Sequence, residues 1–130
     1  MPAGEAFSSR QSDDILRAIR QAKEASGLSY SVYVGVLEGD TRPAAEALHA
    51  ALGRSAAHTV LVAVDPAARR LEVVTGSAAK RSLDDRSCAL AALTMTSQFS
   101  VGDLSGGIVN GLGTLAEHAR HPRTLHLDRP

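Results

Sequence analysis

The chain has 130 residues, 14 Lys+Arg against 14 Asp+Glu, 44% hydrophobic residues, one cysteine and no tryptophan. That length suits one domain able to bury a core unaided, and balanced charge supplies no field toward nucleic acid or anionic lipid. A lone Cys88 forms no internal disulfide, no apolar run approaches the ~20 residues of a membrane span, and Met1 to Arg10 lack a secretory pattern, so the chain reads as cytoplasmic.

Residues 1–8 are small, polar and unpatterned, a tail that docks only through Phe7. The domain proper spans 9–120. From Ser12, a cap residue followed by Asp13 and Asp14, the spacing of Ile15, Ile19 and Ala22 predicts an amphipathic helix that stops at Gly27. Residues 28–37 then alternate Leu28, Tyr30, Val32, Val34 and Val36 with smaller or polar residues, the period of a strand with one strongly apolar face. A turn at 38–43 leads into a short helix over 42–53 that carries Leu48 and Leu52 inward.

The run TVLVAV (59–64) is apolar on both faces, as a central strand requires, and LEVVT (71–75) is a second strand. Asp65-Pro66 between them signals a tight turn, so the two form an antiparallel hairpin. A helix over about 84–97 buries Cys88, Leu90, Ala91, Ala92 and Met95, and a last helix over about 103–119 carries Gly106, Gly107, Gly111 and Gly113. Four glycines weaken a helix and imply close backbone approach to the sheet or a neighbouring helix. Residues 121–130 are a second tail, in which TLHL offers an edge strand.

The order αβαββαα predicts an α/β fold: an α/β/α sandwich with a small mixed sheet of three to four strands and helices on both faces. A strand–helix–strand unit makes the first two strands parallel and right-handed, which gives the sheet two poles. One holds Glu38, Asp40 and the hairpin residue Asp65. The other gathers His58 and Thr59, Thr75 to Ser77, and Asp84-Asp85, and it is the better candidate for chemistry. There His58 and Ser77 are candidate ligand-binding residues and Asp84 and Asp85 candidate metal ligands.

From about Ser12 to His118 the opening helix, YSVYVGV, HTVLVAVDPAARRLEVVTG, LDD and FSVGDLSGGIVNGL resemble, in order, the TPM-domain family of thylakoid-lumen phosphatase-type and membrane-associated proteins. The resemblance implies a bacterial member with an α/β/α sandwich, a divalent-cation site holding Ca or Mg, and phosphatase activity in some relatives. The chain departs from the family at Ala57-His58, where members carry Asn-Gly, and at Gly76 to Ala79, where a glutamate is missing. Calcium takes roughly six to eight oxygens, so this depleted acidic pole points first to a noncatalytic binding module. Its partner is a protein, a second copy or a small ligand, with Tyr33 and the glycine-rich helix as contact surfaces. The alternative is a metal-assisted phosphatase in which Asp84 or Asp85 holds the cation, His58 ligates or donates a proton, and Ser77 meets the phosphate.

Other fragments carry less. SAAHT and GDLSGG resemble the surroundings of a serine-protease base and nucleophile, but such a triad needs two β-barrels to assemble it, and Leu104 intervenes before Ser105. GLGTLA lacks the preceding strand of a dinucleotide fingerprint. His118, His121 and His126 read as histidines near a helix's carboxyl end, where they meet its negative dipole, rather than as a zinc set. Arg69-Arg70 and Lys80-Arg81 read as solvated turn charges, and the four Phe and Tyr residues leave little for a nucleic-acid stacking platform.

Overall fold

A computed structural model describes residues 7–119. Helix α1 (Ser9–Ser26) begins three residues before Ser12, because Ser8 supplies the cap. The Ser8 hydroxyl accepts from the Gln11 N–H at 3.1 Å while the Gln11 side chain accepts from the Ser8 N–H at 2.9 Å, a reciprocal capping box. Phe7, just before this cap, packs on the core. Gly27 ends the helix in the left-handed conformation, at φ 82°.

Strand β1 (Ser29–Val34) is shorter than the alternation suggests. Beyond it the Tyr33 hydroxyl donates to the Val36 carbonyl at 2.8 Å and folds the chain over, so Tyr33 is spent within its own loop. Helix α2 (Thr41–Ala50) is followed by a 3-10 turn at Gly53–His58 that the helical pattern over 42–53 does not reveal. Strands β2 (Thr59–Asp65) and β3 (Arg70–Thr75) form the hairpin, and helices α3 (Asp85–Ser100) and α4 (Leu104–Ala119) complete the described chain. The TLHL segment, His121 and His126 lie outside the described residues.

The sheet runs β1-β2-β3, parallel between β1 and β2 and antiparallel between β2 and β3. Every residue of β2 is buried. Alternation sends Val60, Val62 and Val64 toward α1, α3 and α4, where Ile15, Met95, Ile108, Leu112 and Leu115 pack, while Leu61 and Ala63 meet Ala45 of α2 on the other face. Each fully buried aliphatic side chain contributes about 1.5–3 kcal/mol. The predicted sandwich is therefore present as a three-stranded mixed sheet with three helices on one face and one on the other.

Of the four glycines of α4, Gly107 and Gly111 serve close packing against α3, whereas Gly106 faces the Asp103 carboxylate and Gly113 has open space beside it. A side chain at Gly107 would meet Phe99, and one at Gly111 would meet Met95. On the outer edge of β3, the Arg42 guanidinium donates to the Val73 carbonyl at 2.8 Å and pairs with Glu46 and Glu72. An exposed strand edge is thereby capped by charge.

Gly76 follows β3 where the chain presses on the 3-10 turn, and a Cβ there would run into the carbonyl oxygens of Ala56 and Ala57. Backbone cannot yield as a flexible side chain does. Gly76→Ala should therefore cost about 1–3 kcal/mol, read as a lowered midpoint in urea unfolding. An unchanged midpoint would show that this contact is not tight.

Candidate functional site

The pole singled out from sequence is assembled mainly by backbone. The Gly76 N–H donates to the Thr59 carbonyl at 3.0 Å and the Ala78 N–H to the Ala57 carbonyl at 2.9 Å, which sets the loops bearing His58 and Ser77 side by side. Both residues are exposed. Below them Ala79 and Leu83 are fully buried and close the floor.

Asp84 is the amino-terminal cap of α3, accepting from the Ser87 N–H at 2.9 Å. Hydrogen bonds from Ser87, backbone first and side chain second, hold its carboxyl below the usual aspartate value. Asp85 pairs with Lys80 at 3.4 Å in full exposure. Among the described residues no three His, Cys, Asp or Glu side chains gather as a metal-binding group. The structure thus makes His58 and Ser77 neighbours but engages the two carboxylates elsewhere, one on a helix end and one on an ammonium. None of these four residues lines either of the two clefts described below.

Cys88, one turn into α3, offers no nucleophile near neutral pH. Burial first, then the nearby Asp85 and Asp84 charges, push its thiol up to about 11.

Concavity lies at the opposite pole. A cleft of about 400 Å³ opens between the β2–β3 hairpin and the α3–α4 turn, within the usual range for small-molecule sites. Leu71, Phe99 and Leu104 supply apolar lining, and Asp65, Arg69 and Arg70 approach from the hairpin. Asp65 is 4% exposed yet carries a carboxylate, because backbone donors meet both oxygens: Leu37 at 3.0 Å and Ala68 at 3.2 Å. It thereby ties the loop after β1 to the hairpin.

The hairpin turn closes with the Arg69 N–H donating to the Pro66 carbonyl at 3.2 Å, and Arg69 sits at φ 58°. It is the non-glycine residue with positive φ among the described residues. A hairpin position of this kind ordinarily takes glycine, because a Cβ costs of order 1 kcal/mol or more there. The sequence signal was available: an arginine after D-P-A-A occupies the place where a tight hairpin favours glycine. Arg69 and Arg70 are exposed, as solvated turn charges are, and the structure adds that Arg69 shares a cleft with Phe99, thirty residues distant in sequence.

A second, shallower groove of about 230 Å³ runs between α1 and α4, lined by small residues including Ala18, Ala22, Gly113 and Ala116. It offers little polar chemistry. No helix among the described residues is long and apolar enough to cross a membrane.

Comparison with known proteins gives the domain its place. The profile described as a domain of unknown function, DUF5130, matches residues 2–116, and the chain belongs to that family. This corrects the TPM resemblance: the shared marks are those of element order, which many α/β sandwiches meet, and the family match over residues 2–116 is to a different family. Among curated proteins no significant match is found.

Two solved structures share the fold. The BA42 protein of the psychrophilic bacterium Bizionia argentinensis superposes with a TM-score of 0.78 at 17% identity, covering 87% of this chain and 81% of its own. The amino-terminal domain of cg2496 from Corynebacterium glutamicum gives 0.72 at 16% identity, covering 91% and 77%. At such identities the likeness concerns architecture alone.

Two outcomes test these assignments. Because the folded Asp84 carboxyl titrates below its unfolded value, its contribution to stability is present above the ordinary aspartate pKa and is lost as pH falls through the folded value. Asp84→Ala should lower the melting temperature at neutral pH, and the gap to wild type should close as pH drops below roughly 4. A gap independent of pH would remove the charged cap. Arg69→Gly should relieve the left-handed strain and raise stability by about 1 kcal/mol, seen as a melting temperature higher by a few degrees.

Proposed function

We propose that this domain is a noncatalytic binding module and that the cleft between the β2–β3 hairpin and the α3–α4 turn is its binding site. The observation that carries the reading is Arg69. Its backbone is held in a conformation that glycine would adopt more easily, and its residue lines the cleft of about 400 Å³. Strain of this sort persists where surrounding structure over-determines it, and it collects at sites of recognition.

The other pole supports the same reading from the opposite direction. Asp84 caps a helix, Asp85 faces Lys80, and the Cys88 thiol stays protonated, so the carboxylates that metal-assisted hydrolysis would draw on are engaged in holding the fold, while His58 and Ser77 stay exposed. A module of this kind acts by occupancy.

A fragment screen by two-dimensional amide NMR tests the site. Hits should move amides of residues 65–71 and 96–104 together, the two segments that meet across the cleft. Hits gathering around His58 and Ser77, or along exposed Leu90 and Leu93 on the outer side of α3, would transfer binding to those surfaces and end this assignment.

A further inference from the structure

Resting on that reading of the cleft, we infer that its ligand is a small organic carboxylate: an apolar body with one anionic end. The inference follows from which polar groups at the cleft are still free.

Asp65 is satisfied by two backbone N–H groups. Thr96 and Ser100 line the cleft from α3, but each hydroxyl already donates its proton into the helix, Thr96 to the Ala92 carbonyl at 2.9 Å and Ser100 to the Ser97 carbonyl at 2.7 Å. Both therefore offer lone pairs only. Arg70 reaches across to the Thr41 hydroxyl at 3.4 Å. The Arg69 guanidinium has no hydrogen-bond or ion-pair partner among the described residues. A single uncommitted cationic fork thus stands beside Leu71, Phe99 and Leu104.

Charge decides between anions. The Arg70 guanidinium is held at the Thr41 hydroxyl and the Asp65 carboxylate by two backbone N–H groups, so among the described residues the Arg69 guanidinium is the one uncommitted charge lining the cleft. The carboxyl end of α3, which closes at Ser100, adds partial negative charge, and the amino end of α4 is already capped by the Asp103 carboxylate, which accepts from the Gly106 N–H at 3.1 Å. That balance suits a monoanion. A phosphate monoester brings close to two negative charges at neutral pH and would meet Asp65 and the α3 carbonyls as well as Arg69. A carboxylate matches the planar guanidinium in two parallel hydrogen bonds, while the apolar body displaces water from the floor.

The experiment is an amide NMR titration of the full chain with three probes that share a phenyl body: hydrocinnamate, its neutral amide, and phenethyl phosphate, all at one ionic strength. Hydrocinnamate should bind at the cleft about tenfold or more tighter than the amide, the size expected of one charge-assisted hydrogen-bonded pair, and tighter than the phosphate. Arg69→Gln should bring hydrocinnamate down to the amide's affinity and leave the amide unmoved, and Arg69→Lys should retain part of the preference for the acid. Equal binding of acid and amide, or stronger binding of the phosphate, overturns the carboxylate assignment while leaving the cleft as a binding site. A cleft silent to all three probes also overturns it, and the fragment screen then decides the broader reading separately.

Discussion

Strand β2 has no exposed residue, and the rest of the molecule is arranged around keeping it so. A strand buried on both faces needs cover above and below, which requires two helical layers and a neighbour on each edge. The three valines Val60, Val62 and Val64 draw in α1, α3 and α4, while Leu61 and Ala63 draw in α2. The asymmetry of three helices against one follows from what the strand presents. Three branched side chains face the larger cluster, whereas alanine and leucine face the smaller.

The same strand ends on Asp65, and there burial changes from an apolar to a polar problem. A carboxylate at 4% exposure persists only with donors on both oxygens, and these come from Leu37 in the loop after β1 and Ala68 in the hairpin. One residue therefore fixes two loops relative to the sheet. The hairpin so anchored carries Arg69 and Leu71 toward the end of α3, and the cleft is the space left between them. The rigidity of the site comes from the core strand, and its chemistry comes from the loop attached to it.

The two poles use charge differently. Around His58 and Ser77, the Asp84 and Asp85 carboxylates are engaged in capping and pairing and the Thr59 hydroxyl in turn closure, while His58 and Ser77 themselves stay exposed. At the hairpin, backbone donors satisfy Asp65 and leave Arg69 over. By residue type alone the first pole is the richer.

Local pattern was enough to read the elements in order and the parallel and antiparallel pairings, because each depends on residues a few positions apart or on a near-universal crossover handedness, whereas of the four α4 glycines only Gly107 and Gly111 pack closely on α3. The Ser8 cap was equally local, but Ser12 with its two aspartates offered a competing start, and only the Gln11 side chain reaching back settled which serine serves. Between His58 and Ser77, strand register brings the loops together and was legible. The fate of Asp84, Asp85, Arg69 and Phe99 was not, since a side chain's availability depends on donors and acceptors that arrive from elsewhere in the chain. Sequence by itself determined which stretches become strand or helix and which strand must lie innermost. Tertiary structure alone decided which charge stayed unpartnered and where the surface turned concave, because both depend on three-dimensional neighbours that no spacing along the chain encodes.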